Sequence, residues 1–246
     1  SFTPEQLFAH CRPEGVTRIV LIQMSFFLFD NSYMLDAIAN HPGVFSGVGI
    51  VNEHEAGVSK RMKDLAKRGV RGFRIHAGKE KDPGTWLGTP GMAEMWRTAA
   101  DEGLSICPLI SPGALPFIGG MCAKYPRTSV VIDHFARIGV TGSMARADLD
   151  PLLNLSKHPH VRVKASAFYV LGKRQPPYLD LGPMIRECRD AFGAQRLMWA
   201  SDCPFQVGPG HTYHDSIALI RDRLDFLSDA DKAWILGRTA ESVFWP

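Results

Sequence analysis

The sequence has few cysteines and no long apolar run. Its five cysteines include no C-x-x-C pair; they are Cys11, Cys107, Cys122, Cys188 and Cys203. This odd number and spacing argue against a disulfide framework and a zinc knuckle, and they favour a reducing cytoplasm. No apolar stretch reaches the roughly 18 to 20 residues that span a bilayer, and the polar residues 1–15 do not resemble a signal peptide. We therefore expect a cytoplasmic protein that does not bind membranes.

The sequence also lacks a strong charge excess and the common nucleotide-binding motifs. A formal net charge of +3 without a basic stripe argues against a nucleic-acid partner. The stretch after the first apolar run contains neither G-x-G-x-x-G nor G-x-x-x-x-G-K, which disfavours a doubly wound nucleotide-binding sheet. No G-x-S-x-G nucleophile elbow is present either. These absences argue against a nucleic acid or a nucleotide as the ligand and favour another small molecule as the substrate.

What the sequence does contain is a regular series of short apolar runs, spaced roughly 25 to 35 residues apart as in repeated βα units. The runs cover residues 18–23, 47–51, 72–77, 105–110, 129–134, 161–166 and 196–201. Amphipathic stretches with apolar residues three and four apart lie between several of them and predict helices. Loops are predicted over residues 77–91, 110–120, 171–183 and 204–214. This alternation predicts a parallel sheet covered by helices.

Polar side chains gather where these runs end. They are Gln23, Arg74, His76, Asp133, His134, Lys164, Ser166, Ser201 and Asp202. Parallel barrel enzymes carry their chemistry at this edge, so we favour a (β/α)8 TIM barrel over an open doubly wound sheet. A closed barrel needs eight strands, and the printed chain supplies seven. We therefore predict one α/β domain over residues 1–246 that contains strands two to eight, with strand one N-terminal to Ser1.

The alternation of side chains along a strand assigns several of these residues to faces. It places Arg74 and His76 on one face, and it predicts that His134 faces the barrel mouth while Asp133 faces the helical layer. Arg74 could hold an anionic group of the substrate with its planar fork, or it could form a salt bridge at the rim. Lys164 is open to the same two interpretations, as a substrate ligand or as a structural ion pair.

Asp202 follows the last apolar run, where an aspartate is most often a cap or turn former. The residues around it leave its role open. His211 and His214 are three apart without the glutamate of an H-E-x-x-H motif, so we interpret them as part of a loop that leads into a helix. We interpret Cys203 as a packing residue.

Five stretches in order resemble the amidohydrolase-related TIM-barrel hydrolases, in the branch that includes pyrone dicarboxylate lactonase and sugar lactonases. They are GVTRIVLIQMSFFLFDNSYMLDAIANHPGVFSGVGIV, GVRGFRIH, VVIDHFARIG, VRVKASAFY and QRLMWASDCPF. The resemblance implies a histidine at the end of strand six and an aspartate at the end of strand eight, which are His134 and Asp202. Both could activate water or ligate a divalent metal such as zinc. The sequence departs from metal-dependent members at strand five, where Leu109, Ile110 and Ser111 stand instead of a histidine, and the lactonase branch works without a required metal.

The function that we predict from this resemblance is hydrolysis of a small lactone or related cyclic ester. Asp202 would act as the general base and His134 would polarise the carbonyl, while Arg74, His76 and Lys164 would bind the substrate. Two alternatives are a metal-dependent decarboxylase or C–C hydrolase of the same superfamily, and a non-catalytic barrel that acts as a binding module. Phenylalanines after the first run, Phe26, Phe27 and Phe29, predict either a pocket wall or the contact of a homo-oligomer.

Overall fold

The structure, a computed structural model, describes residues 2–76 and 82–245. Within these ranges seven parallel strands form one sheet whose spatial order follows the chain order. The strands are β1 (Ile19–Ile22), β2 (Phe45–Gly49), β3 (Val70–His76), β4 (Ser105–Leu109), β5 (Ser129–Ile132), β6 (Val161–Ser166) and β7 (Leu197–Ala200). Each overlaps one of the seven predicted runs, so the prediction of strands two to eight of a barrel is confirmed.

Helices connect the strands and cover the outer face of the sheet. In the described part of the chain they are α1 (Pro4–Cys11), α2 (Ser32–Asn40), α3 (Val58–Ala66), α4 (Pro83–Leu87), α5 (Pro90–Asp101), α6 (Leu115–Lys124), α7 (Arg146–Asn154), α8 (Gly182–Phe192), α9 (Tyr213–Ala218), α10 (Asp229–Ala233) and α11 (Thr239–Phe244). None of these helices is long and apolar enough to cross a bilayer.

Helix α6 occupies much of the predicted loop 110–120, so the loop prediction is wrong there. Leu115, Ile118 and Met121 are spaced three apart and bury one face of the helix. Pro116 lies in the first turn, where its missing N–H has no intrahelical partner to lose. In the predicted loop 77–91, residues 77–81 lie outside the described residues, and helix α4 forms part of the remainder.

The sheet is curled, as the side chains from one of its faces show by meeting in a common interior. Val48 of β2, Cys107 of β4, Val131 of β5 and Met198 of β7 form a buried apolar cluster with Phe244 of α11. The opposite face packs in the main core, which includes residues of β3 such as Phe73 and Ile75. Alternation along β3 therefore places Arg74 inside the barrel.

The register of the ladders aligns the carboxyl ends of the strands. Arg74 of β3 pairs in register with Cys107 of β4, and Ser166 of β6 with Ala200 of β7. Among the described residues, β1 pairs with β2 and β7 pairs with β6, so these two strands are the edges of the sheet. The strand expected before Ser1 stays a prediction.

Candidate active site

A buried carboxylate, Asp133, joins two cations on strands β3 and β6. Its Oδ2 atom lies 2.9 Å from Nη2 of Arg74, and its Oδ1 atom lies 2.7 Å from Nζ of Lys164. Asp133 therefore points into the barrel, and the prediction that it faces the helical layer is wrong. The reason is that Asp133 continues the alternation of β5 two residues after the interior Val131, and the alternation breaks only at the next residue, His134, where φ is 52°.

This ion trio, Asp133 with Arg74 and Lys164, carries a surplus of positive charge. Burial alone would raise the pKa of Asp133, but the adjacent Lys164 and Arg74 outweigh it and hold that pKa well below its ordinary value. The carboxylate is therefore ionised, and two cations share one anion. Arg74 and Lys164 thus both form the salt bridges that were one of their two interpretations from the sequence. The role of the two cations in substrate binding stays a prediction.

His134 turns its ring from the end of β5 toward the ends of β6 and β7. Its Nδ1 atom lies 2.7 Å from Oγ of Ser166, and its Nε2 atom lies 3.7 Å from Oδ1 of Asp202. Burial lowers the pKa of His134 despite the opposing charges of Asp202 and Asp133, so the ring is neutral at neutral pH. Since a carboxylate can only accept, the tautomer with its hydrogen on Nε2 suits both neighbours: Ser166 donates to Nδ1, and the Nε2–H faces Asp202.

Asp202 is held by the hydroxyl of Tyr169, which follows β6. The Tyr169 hydroxyl donates a hydrogen bond of 2.8 Å to Oδ2 of Asp202. Burial, and then the charge of Asp202, raise the pKa of the Tyr169 phenol, so the hydroxyl keeps its proton. The ring of Tyr169 lies between Phe205 and His211, with centroid distances of 6.5 and 6.1 Å. One carboxylate oxygen is therefore fixed, and the other faces His134.

The backbone at these residues adopts a conformation that side chains rarely allow. The φ angle is 52° at His134 and 58° at Asp202, and it is also 58° at Ala167, two residues before Tyr169. The left-handed region costs a non-glycine residue roughly 1 to 2 kcal/mol. Such residues persist where surrounding contacts hold them, and they cluster at active sites and ligand clamps. This edge of the sheet thus has the backbone signature of a functional site.

The structure brings together residues from the ends of four strands. His134 pairs with Asp202, and Arg74 and Lys164 pair with Asp133, which precedes His134 in the chain. His76 lies at the end of β3 on the wall of a neighbouring pocket and is not in these ion pairs.

Sequence reasoning missed two aromatic residues of the site, Tyr169 and His211. Tyr169 stands within the stretch VRVKASAFY, but no sequence pattern indicates that it reaches Asp202. His211 does lie in a loop before helix α9, as interpreted, yet its ring packs on Tyr169 and its Nδ1 atom lies 2.7 Å from the hydroxyl of Tyr178. The sequence placed His211 in this loop, and its contacts with Tyr169 and Tyr178 come from the tertiary structure.

The described residues do not fit a catalytic zinc site. No group of three His, Cys, Asp or Glu side chains that could hold a metal ion occurs within residues 2–76 and 82–245. A catalytic zinc ion usually takes three protein ligands and keeps a fourth position for water. His134 and Asp202, the two predicted ligands, are together one short of that set.

The chain belongs to the amidohydrolase family, whose sequence model matches residues 1–244. The resemblance inferred from the five sequence stretches is thereby confirmed. The L-fucono-1,5-lactonase of Burkholderia ambifaria is 28% identical over 214 residues, which are 85% of this chain and 72% of that protein. The 4-sulfomuconolactone hydrolase of Rhizobium radiobacter is 26% identical over 190 residues, which are 77% of this chain and 62% of that protein.

Solved structures confirm the fold. An amidohydrolase from Burkholderia multivorans with bound HEPES superposes with a TM-score of 0.88 at 20% sequence identity, covering 100% of this chain and 89% of that chain. A crystal structure of the same target with bound zinc superposes equally well. These similarities establish the barrel architecture of this chain.

Proposed function

We propose that the protein is a lactone hydrolase in which Asp202 activates water and His134 polarises the carbonyl of the ester. The observation that carries this proposal is the 3.7 Å separation of His134 Nε2 from Asp202 Oδ1, at the shared carboxyl edge of the sheet. This distance exceeds hydrogen-bond length, so neither group is occupied by a hydrogen bond to the other. The lactonase and lactone hydrolase relatives support the same reaction.

The proposed reaction uses one proton acceptor and one proton donor. Asp202 takes a proton from water as the water oxygen bonds to the carbonyl carbon, and the Nε2–H of His134 donates to the developing oxyanion. The C–O bond of the ring then breaks. The proton held by Asp202 passes to the leaving alcohol oxygen, which regenerates the carboxylate and yields the open hydroxy acid.

The ion trio lies one layer of side chains below the edge of the sheet and supports this chemistry. Lys164 lies two residues before Ser166, and Arg74 lies two residues before His76, so both cations sit beneath the edge that carries His134. Their surplus positive charge favours the negative charge that develops on the carbonyl oxygen. In this proposal Lys164 and Arg74 act on the substrate by electrostatic attraction, and His76 contacts it at the rim. Zinc has no assigned step, because the described residues supply too few ligands.

Replacement of the proposed base tests the function. The Asp202→Asn protein should keep its circular dichroism spectrum and lose roughly 10²- to 10⁴-fold in kcat on lactone substrates. Hydrolysis is followed by the acid released, across sugar lactones and simple five- and six-membered lactones. The exposed Asp225→Asn variant is the matched control and should retain full activity. Unchanged turnover by Asp202→Asn would remove Asp202 as the base.

A further inference from the structure

A pocket opens at the carboxyl ends of β1, β2 and β3, and Arg74 of the ion trio is among the residues that line it. Its volume is about 260 Å³, the scale of a small ligand. Apolar side chains dominate its wall, namely Phe29, Ile50, Ile75, Trp86, Met92 and Met95. We call this the β1–β3 pocket.

The β1–β3 pocket is continuous with the site through Arg74. Arg74 is one of the residues that line the pocket, and its guanidinium pairs with Asp133, the residue that precedes His134. A molecule whose ester lies at His134 can therefore extend a substituent past Arg74 into the pocket. The pocket is thus placed to select among substrates.

Two of the polar groups in the wall are already engaged. Nη2 of Arg74 binds Asp133 while its Nε atom has no hydrogen-bond partner among the described residues, and Oε1 of Glu53 accepts a hydrogen bond of 3.2 Å from Nε1 of Trp86. Ser25 and His76 are the other polar residues of the wall. A substituent rich in hydroxyls would lose water against Trp86 and the methionines with few new partners, which is costly. An anionic substituent would meet the carboxylate of Glu53. The wall therefore favours an uncharged apolar group.

The apolar rim of the pocket is held in place by buried amides. Nδ2 of Asn31 donates to the backbone carbonyls of Phe29 and Ile50, each at 2.9 Å, and Oδ1 of Asn31 accepts from the backbone N–H of Ile50 at 3.0 Å. Nε2 of Gln23 donates to the carbonyl of Asp30 at 2.6 Å. Leu28 and Phe29 are nevertheless 63% and 41% exposed. Large apolar side chains fixed at a surface commonly mark a ligand site.

The floor of the pocket is also tightly built. Gly91, at the start of α5, approaches the segment after β2 so closely that a Cβ atom there would lie 1.6 Å from the carbonyl oxygen of Glu53. This close approach leaves no room for a side chain at position 91, at the start of the helix that carries Met92 and Met95. Helix α5 therefore packs directly on the segment after β2 at this side of the pocket.

We propose that the β1–β3 pocket binds an alkyl or aryl substituent of the lactone, so that the preferred substrates are apolar lactones rather than sugar or dicarboxylate lactones. This inference rests on the proposed lactone hydrolase function and names the substrate class for it. The phenylalanines after β1 were open to two interpretations from the sequence, and on this proposal Phe29 forms a pocket wall.

A series of lactones with one ring and a growing substituent tests the proposal. We expect kcat/KM to rise roughly fourfold with each added methylene until the pocket is full, as burial of apolar surface requires. Lactones of matched size with hydroxyl or carboxylate substituents should show no such gain. Turnover of sugar lactones without any gain from an alkyl chain would overturn the inference and leave the proposed function standing. If no lactone of any class is hydrolysed, the proposed function fails, and the inference fails with it.

Two variants of the loop after β1 assign the effect to the pocket. Phe29→Ser should reduce the ratio of kcat/KM between the longest alkyl lactone and the unsubstituted ring by about tenfold, which is close to the effect of removing one large apolar side chain from the wall. Phe27→Ser changes an exposed phenylalanine that does not line the pocket, so it should keep the wild-type ratio. Gel filtration of both variants is the second measurement. A changed oligomeric state with an unchanged ratio in Phe29→Ser would assign the loop to contact with a second copy and overturn the proposal.

Discussion

At the scale of single residues, the candidate site depends on how neighbouring groups fix one carboxylate and one imidazole. Tyr169 holds Oδ2 of Asp202, and Ser166 holds Nδ1 of His134. Both contacts restrict rotation of the side chain that they reach, so Oδ1 and Nε2 are left facing each other. Tyr169 is therefore a positioning residue for Asp202 in the proposed reaction.

Removal of the Tyr169 hydroxyl should impair turnover more than binding. In Tyr169→Phe we expect kcat to fall roughly tenfold, equivalent to about 1.4 kcal/mol, because Asp202 loses the contact that orients it. KM should change little, since the phenyl ring stays in place. Steady-state kinetics on a lactone substrate provide the measurement, with Tyr33→Phe on the exposed side of α2 as control. If kcat falls and KM rises by the same factor and the variant is also less stable, Tyr169 has a structural role only.

The lowered pKa of His134 predicts a dependence of stability on pH. In the unfolded chain the pKa of His134 lies near its ordinary value of 6.5, whereas in the folded protein this pKa is lower. The neutral ring thus contributes stability that is complete above 6.5 and is lost as the pH falls through the folded pKa. The free energy of unfolding of the wild type relative to His134→Asn should therefore decrease on acidification. Urea denaturation at several pH values measures it, and an increase would show that His134 is charged in the folded protein.

At the scale of secondary-structure elements, the ion trio ties three strands together. Arg74 lies on β3, Lys164 lies on β6, and Asp133 follows β5 between them. A buried ion pair contributes little compared with an apolar replacement, but removal of one partner leaves an uncompensated charge. The trio therefore makes the positions of these strand ends mutually dependent.

Loss of the central carboxylate should be strongly destabilising. We expect Asp133→Asn to lower the free energy of unfolding by about 3 to 5 kcal/mol, because Arg74 and Lys164 would remain buried without their anion. Equilibrium urea denaturation gives the value. Asp150→Asn removes an aspartate that pairs with Arg146 on the exposed surface of α7, and it should be nearly neutral. Similar small effects from both substitutions would mean that water reaches the trio.

The elements themselves were largely predictable from sequence, and the exceptions are informative. The strands were found because near-continuous apolar runs bounded by turn residues are typical of a parallel sheet buried on both faces. Helix α6 was missed because its two glycines and one proline outweighed its apolar spacing in a local interpretation. Burial of Leu115 and Ile118 against the core decided the matter in the folded protein.

At the scale of the whole molecule, the C-terminal helix completes the barrel interior. Phe244 of α11 is buried with Val48, Cys107, Val131 and Met198, which come from four different strands. Residues more than a hundred positions apart in the chain thus share one apolar cluster. Helix α11 is consequently part of the core beneath the edge that carries the candidate site.

Truncation of this contact should destabilise the whole fold. Phe244→Ala should lower the free energy of unfolding by about 3 to 5 kcal/mol, since it removes a large buried ring and leaves a cavity. Thermal or urea denaturation monitored by tryptophan fluorescence measures the loss. Leu179→Ala, at an exposed position, is the control and should have little effect. A mild result for Phe244→Ala would show that α11 is dispensable for the interior.

The sequence by itself determined the seven strands, the polar residues at their ends and the family, because periodicity and motif order are local properties of the chain. It also placed His134 and Asp202 at one edge, since parallel strands align their carboxyl ends. Only the tertiary structure decided that His134 turns inward together with its neighbour Asp133, that Tyr169 reaches Asp202 across 33 positions of the chain, and that Phe29 borders an apolar pocket. These features lie in turns and loops beyond the strand ends, where side-chain alternation stops and contacts between distant segments set the conformation.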